Sequence, residues 1–475
     1  MQPTKSTSTP ETTSQSEGPI NNVEWWRGAV IYQIYPRSYL DTTGSGVGDL
    51  NGITQKLDYI RDLGVDGIWI SPFFTSPMKD YGYDVADYCD VDPIFGSLSD
   101  FDTLISRAHK LGLKVIIDQV YAHTSDVHPW FEESRQDPTN AKANWYVWAD
   151  PKPDGAPPSN WQSVFGGPAW EWDARRQQYY MHNFLREQPQ LNLHNEDVQL
   201  ALLDAARFWL DRGVDGFRLD AINFSMHNPA LTDNPPSGKP LEKVTRPFDL
   251  QQHVHNQSQP GIVNFLERVR SLTDEYGAIF TVAEVPGADP IPEMRAYTHG
   301  QSRLTSAYNF DFLYARKLTP QKVTRSLQQW LGDKDEGWPS WAFSNHDAPR
   351  ALTRWVDEEH HERASKTLLM LLMSLRGNPI IYQGEELGMV QADIPFDRLL
   401  DPEAIANWPR TLGRDGARTP MPWDANAPYF GFSSKEPWLP CDPRHQQSAV
   451  DIQTNSQTST FASASALLDL RRSCP

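Results

Sequence analysis

Three carboxylates, Asp220, Glu284 and Asp347, sit at or just beyond the ends of short apolar runs, with Arg218 two residues before the first and His346 next to the last. Acetal cleavage through an oxocarbenium-like transition state needs one group to protonate the leaving oxygen and a carboxylate to meet the developing positive charge. A cluster of acids supplies both. Crowding and burial raise the pKa of at least one acid, which keeps it able to donate. Arg218 falls on the same face of a strand as Asp220 and would hold that aspartate ionised, as a nucleophile requires. Glu284 ends the apolar run 279–283 with no cation adjacent in sequence, which makes it the candidate for the protonated acid. A lone Asp at a strand end is ordinarily a helix cap or a loop hydrogen-bonder, and for Asp118 both readings stand. For three acids beside Arg218 and His346, independent capping is the poorer reading. A carboxylate spacing of roughly 5 to 5.5 Å retains configuration and a wider one inverts it, a distance that sequence does not measure.

Such groups must be carried to one place. β-rich runs at 29–35, 67–71, 114–118, 216–220, 279–284, 305–310, 342–344 and 379–382 alternate with segments of helical period such as 98–111, 196–212, 263–276 and 364–376. Eight strands with crossover helices predict an α/β protein of the (β/α)8, or TIM-barrel, class. Catalytic groups in such barrels lie at the C-terminal strand ends, where Asp118, His123, Arg218, Asp220, Glu284, Asn345, His346 and Asp347 all fall. The barrel is expected over 23–123 and 196–475, with a small inserted domain at 124–195, too long for a simple loop. A second long connection, 223–261, is expected to lid the site, and a third runs from 384 to about 463.

The bulk properties agree with this. A 475-residue chain, 39% hydrophobic and 22% charged, is of ordinary globular composition. The net charge of -18 opposes nucleic acids and anionic membranes as partners, and no run of about 18 apolar residues exists to cross a membrane. A neutral substrate fits better than a phosphorylated one. Three cysteines, odd in number and widely spaced, indicate neither a disulfide framework nor a zinc site, so a reducing, cytoplasmic setting is the simpler expectation. Residues 1–22, rich in Ser, Thr, Pro and Gln, read as a disordered tail without the apolar core of a signal peptide.

Gly-Phe-Arg-Leu-Asp at 216–220, Val-Ala-Glu at 282–284 and Ser-Asn-His-Asp at 344–347, in this order and spacing, resemble the nucleophile, acid/base and transition-state-stabilising segments of glycoside hydrolase family 13, the α-amylase family. The resemblance implies that Asp220 is the nucleophile, Glu284 the general acid/base and Asp347 the stabiliser binding the 2- and 3-hydroxyls of glucose, with His123, Arg218 and His346 beside them. One departure is Ala122 where the family has Asn before His123, which implies a looser supporting contact. Asp80-Tyr-Gly-Tyr-Asp84, the segment 383–388 and Gly-Arg-Asp-Gly-Ala-Arg-Thr-Pro-Met-Pro-Trp at 413–423 are similar to the oligo-1,6-glucosidase and α-glucosidase branch, and more narrowly to bacterial transglycosylating α-glucosidases. By that likeness Asp80 and Arg414 grip the non-reducing glucose at its 4- and 6-hydroxyls and close the pocket to one residue. Tyr83 is similar to the platform under that glucose, and Phe165 and Phe184 to its aromatic wall, against the plainer reading of core packing for all three. Ala221, the residue after the nucleophile, implies α-1,4 rather than α-1,6 linkage.

The implied activity is that of a retaining exo-α-glucosidase acting on small oligosaccharides, with transfer to an alcohol acceptor and no cofactor needed for the chemistry. Related readings are an α-1,6-glucosidase, a sucrose isomerase or trehalose synthase, and an inactive shortened homologue. The loop Asp41-Thr-Thr43-Gly-Ser45-Gly-Val47-Gly-Asp49 resembles the family's structural Ca²⁺ or Mg²⁺ loop, in which oxygen ligands alternate. Thr43 and Ser45 replace the family's charged or amide ligands, leaving either a weakly held ion or a Gly-rich turn that needs none. The family's barrel continues into a small antiparallel β-domain, which this sequence is expected to lack, ending instead in a helical run at 462–472.

Overall fold

The computed structural model describes residues 24–287, 289–330, 337–411 and 413–473; the expected tail at 1–22 lies outside them. Eight parallel strands close into a barrel: β1 Ile31–Ile34, β2 Gly67–Ile70, β3 Lys114–Val120, β4 Gly216–Asp220, β5 Phe280–Glu284, β6 Ser306–Asn309, β7 Trp338–Trp341 and β8 Asn378–Tyr382, with β8 pairing back onto β1. Burial on both faces explains why the strands read as apolar runs rather than as alternations. Gly216 opens β4 against β5, where an added Cβ would lie 2.7 Å from the carbonyl oxygen of Phe280.

The seventh strand was expected at 342–344 and is found four residues earlier. Its register runs Ser306↔Trp338 to Asn309↔Trp341 on β6. Pro339, a residue that donates nothing to a ladder, disguises the strand, and the buried residues beyond it form the rim segment that delivers Asp347.

Helices form the outer ring: α1 Leu50–Leu63, α2 Leu98–Lys110, α3 Glu196–Asp211, α4 Ile262–Asp274, α5 Ile291–Thr298, α6 Pro320–Gln329, α7 His361–Ser374 and α8 Thr460–Ser473. Their starts are legible in sequence. Asp49 caps α1 by accepting from Gly52 N, Ser97 and Asp100 make a reciprocal capping box on α2, and Asn195 caps α3. The inserted segment carries a three-stranded antiparallel sheet, Trp148–Ala149, Gln178–Met181 and Trp170–Asp173, over a small core of Val147, Trp161, Ala169, Trp170 and Met181. No helix among the described residues is long and apolar enough to cross a membrane.

Candidate active site

The mouth of the barrel gathers the expected acids around a single guanidinium. Arg218, on β4 and itself buried, donates through Nη1 to Asp118 Oδ1 at 2.6 Å and to Asp220 Oδ1 at 2.7 Å. Its Nη2 lies 2.6 Å from Glu284 Oε1, an ion pair out of line for a hydrogen bond. The absence of a cation next to Glu284 in sequence therefore does not hold in space, because β4 and β5 are neighbours with Val282 opposite Arg218. Glu284 Oε2 also accepts from the backbone N–H of Ala221 at 2.8 Å. That N–H is aimed by an unusual conformation: Ala221 has φ 36° and ψ 43°, a left-handed geometry that costs an L-residue roughly 1–2 kcal/mol. Strain of this kind gathers at functional sites.

Burial pushes Glu284 up to about 8, Asp220 to about 7 and Asp118 to about 6, against the pull of Arg218 on each. The order matters for chemistry. The first of the three to take up a proton is Glu284, which leaves Asp220 the ionised partner. Asp118 donates nothing to the mouth: it is fully buried and holds Trp69 Nε1 at 2.9 Å as well as Arg218, so it is a charge partner beneath the site.

Asp347 is treated differently. Burial alone would raise it, but the facing Nε2–H of His346 and the charges of Arg418, Arg414 and Arg218 hold it well below the usual carboxylate range. Arg418 Nη2 donates to its Oδ1 at 2.7 Å and Arg418 Nε to the carbonyl of His346 at 2.7 Å. The side chain is 23% exposed, more open than Asp220 at 11% or Glu284 at 8%. His346 is pushed down to about 3, chiefly by burial, and is neutral. Gln33 Nε2 donates to its Nδ1 at 2.7 Å, which assigns the proton to Nε2. Nε2 faces the Tyr83 hydroxyl at 2.5 Å and Asp347 Oδ2 at 3.2 Å. Tyr83 stacks on His346 with rings 5.4 Å apart and 7° from parallel.

The far end of the pocket is an Arg–Asp knot. Arg414 Nη2 donates to Asp80 Oδ1 at 2.7 Å and to Asp401 Oδ1 at 2.9 Å, and its Nη1 lies 3.4 Å from Asp347. Asp84 orients Asp80 by accepting from the N–H groups of Lys79 and Asp80 and from Ser76 Oγ. Phe165 lies under the Arg414 guanidinium at 4.9 Å and meets Phe184 edge-on at 5.8 Å, while Phe184 contacts His123 at 5.2 Å. His123 is buried, pushed down to about 4 by that burial, with Nε2 3.0 Å from the carbonyl of Tyr83. Ala122, in place of an amide, joins Ala221 and Phe224 in an apolar patch. All the expected pocket residues thus meet at one site. Sequence reading missed Asp401, Arg418 and the Ala221 amide. Arg418 had a signal, since it stands one turn beyond Arg414 across the 3-10 segment Asp415–Ala417.

The loop at 41–49 does not join the site, and its two carboxylates are both turned onto hydrogen-bond donors of the chain. Asp41 accepts from the N–H groups of Thr43 at 2.9 Å, Gly44 at 2.8 Å and Gly46 at 2.8 Å, from Thr43 Oγ1, and from Ser433 Oγ at 2.6 Å. Burial would raise it, and these bonds hold it below its ordinary value. Ser45 Oγ is engaged with the backbone of Val47, and Asp49 with Thr42 and the α1 N-terminus. No group of three or more His, Cys, Asp or Glu side chains suited to a metal occurs among the described residues.

The catalytic-domain model of alpha amylase matches residues 33–475. The chain belongs to the alpha-amylase family, glycoside hydrolase family 13. Within this family it is 52% identical over 472 residues to a probable alpha-glucosidase of Rhizobium meliloti (strain 1021), covering 98% of this chain and 85% of that one. An oligo-1,6-glucosidase of Parageobacillus thermoglucosidasius is 37% identical, over 94% of this chain and 84% of its own. A crystal structure of an alpha-glucosyl transfer enzyme superimposes with a TM-score of 0.92 at 52% identity, covering 95% of this chain and 85% of that one. The family barrel is the closed eight-stranded one described above, and the chain is a glycoside hydrolase.

Proposed function

We propose that this enzyme is a retaining, exo-acting α-glucosidase that removes single non-reducing α-1,4-linked glucose units from short oligosaccharides and transfers glucose to an alcohol when one is available. The observation that carries the reading is the Arg218 guanidinium, which holds Asp220 and Glu284 on its two terminal nitrogens and so favours the short spacing that direct attack needs. In the first step a carboxylate oxygen of Asp220 bonds to the anomeric carbon as the glycosidic C–O bond breaks, and the proton of Glu284 passes to the leaving oxygen. In the second, Glu284 takes a proton from water or alcohol, whose oxygen bonds to the anomeric carbon and releases Asp220. Asp347, held ionised, accepts from the 2- and 3-hydroxyls and faces the positive charge. Asp80 and Arg414 bind the 4- and 6-hydroxyls and end the pocket after one glucose. Tyr83 underlies the ring, with Phe165 and Phe184 as its wall, and His123 and His346 add neutral polar contacts.

The similar proteins support both halves of the reading, glucosidase and glucosyl transfer. The α-1,4 preference rests on Ala221. Cys89 and Cys441 are unpaired, which supports a cytoplasmic setting. The test is a panel of maltose, isomaltose, sucrose and an aryl α-glucoside, with products assayed with and without a simple alcohol. Glucose released from maltose well ahead of isomaltose, together with an alkyl glucoside when alcohol is present, is the expected result. The opposite linkage order overturns the Ala221 argument, and an Asp220→Asn variant of full activity overturns the mechanism.

A further inference from the structure

The segment 223–261 that follows β4 lies over the site. Its outer edge is fastened to the inserted domain by several hydrogen bonds: Asn160 Nδ2 to the carbonyl of Asn234 at 2.9 Å, Asn234 N to Asn160 Oδ1 at 2.8 Å, Trp161 Nε1 to the carbonyl of Thr232 at 2.8 Å, and Asn256 Nδ2 to Asn183 Oδ1 at 2.9 Å. Its other edge meets the long connection after β8. There, among the described residues, one polar contact joins the two: Arg246 Nη1 donates to Glu403 Oε1 at 2.8 Å. Both side chains are about three-quarters buried or more, at 24% and 19% exposed.

The two anchors of this contact are built into the pocket. Glu403 stands on the short helix Pro402–Asn407, whose cap is Asp401, the same carboxylate that holds Arg414. Asn407, on that helix, donates to the carbonyls of Phe165 and Glu403 at 3.0 Å each. Arg246 lies over Phe248 at 5.4 Å, and Phe248 contacts Phe224 just beyond the nucleophile strand. Tyr314, 57% exposed as a residue, has its hydroxyl within electrostatic reach of Asp347, Glu284, Glu403 and Arg246. The far end is closed by the Asp80–Arg414 pair, and both partners of the ion pair are tied to pocket residues, Glu403 through Asp401 and Arg246 through Phe248 and Phe224.

We propose that the Arg246–Glu403 ion pair is a clasp across the mouth that limits the length of sugar chain the site admits beyond the scissile bond. This rests on the α-glucosidase reading. A disaccharide places one sugar behind the clasp, whereas a longer chain must part it. A pair of this burial is worth about 1 kcal/mol, or about a fivefold factor.

Wild type, Glu403→Gln, Arg246→Lys and the charge-exchanged Arg246→Glu/Glu403→Arg are compared by kcat/KM on maltose and on maltotetraose, and by backbone hydrogen exchange over residues 241–252. Wild type favours maltose. Glu403→Gln narrows that preference about fivefold and speeds exchange of the segment by a similar factor, Arg246→Lys does so less, and the exchanged pair returns both readouts to within twofold of wild type. A chain-length preference unchanged in Glu403→Gln, exchange unchanged in that variant, or an exchanged pair no better than the single variant overturns the clasp. A wild-type enzyme that releases glucose from neither sugar overturns the glucosidase reading instead, and the exchange measurement still judges the clasp.

Discussion

Replacing Arg414 by Met removes one cation from a buried knot of carboxylates. Arg414 lies 2.7 Å from Asp80, 2.9 Å from Asp401 and 3.4 Å from Asp347, and the side chains of Asp80 and Asp401 are 5% and 0% exposed. Removing one partner of a buried ion pair costs about 3–5 kcal/mol, because the other charge is stranded. Met roughly keeps the volume, so the loss is electrostatic. In the wild type, burial pushes Asp401 up but Arg414 and Arg418 hold it below its ordinary value, so its contribution is present above the unfolded pKa and is lost as pH falls through the depressed folded one. Asp80 is already raised, by burial against the pull of Arg414. In the variant both carboxylates titrate above the unfolded value of about 4. The folded state then binds more protons than the unfolded one, so stability falls as pH rises through that window. The deficit relative to wild type is therefore largest at pH 7, about 3–5 kcal/mol, and shrinks by up to about 1.4 kcal/mol per pH unit for each carboxylate that protonates. Urea unfolding of both proteins at pH 7 and pH 5, followed by tryptophan fluorescence, measures it. A deficit under about 1 kcal/mol, or one equal at both pH values, refutes the view that Arg414 acts by compensating buried charge.

Glu284, raised to about 8 by burial and its acidic neighbours, should set the alkaline limb of kcat, with activity falling as pH rises through its titration. Glu284→Gln should lower kcat on maltose by about 10²–10⁴ and abolish that limb, as a pH–rate series shows. EDTA, Ca²⁺ or Mg²⁺ should leave the melting temperature unchanged, because the hydrogen bonds of Asp41 stand in place of a cation. Ser433→Ala, which removes one of them, should cost about 1 kcal/mol by denaturant unfolding. Ala221→Val should shift the maltose-to-isomaltose kcat/KM ratio toward isomaltose, and an unchanged ratio would detach linkage preference from this residue.

Much of this architecture is legible before any coordinates. Strands β4 and β5 end on Asp220 and Glu284, so strand ends and proposed catalytic positions coincide, and the apolar runs needed only to be counted. β7 resisted because Pro339 lies inside it and the more apolar stretch beyond it is rim, not sheet. Asp80 and Arg414 were legible only by resemblance, being 334 residues apart. Asp401 and the Ala221 amide were not legible at all: the first is one Asp among many in a loop, and the second is a backbone group whose direction depends on a φ value. The loop at 41–49 has the spacing of a ligand loop, whereas the turning of Asp41 and Asp49 onto N–H groups is a three-dimensional fact that spacing does not carry.

Charge balance links these observations to the mechanism. The site places Asp118, Asp220, Glu284, Asp347, Asp80 and Asp401 against Arg218, Arg414 and Arg418, and nearby His346 is neutral. The arginines are unequally shared. Asp347 borders Arg414 and Arg418, and Arg414 is also hydrogen-bonded to both Asp80 and Asp401, while Asp118, Asp220 and Glu284 divide Arg218. A proton therefore resides on that triplet, and it goes to Glu284, which burial raises furthest of the three. The acid's protonation thus follows first from its burial and then from how three cations are distributed over six carboxylates. The same distribution leaves Asp220 ionised, as the attack proposed for it requires, and Asp347 ionised, as its proposed role facing the positive charge requires.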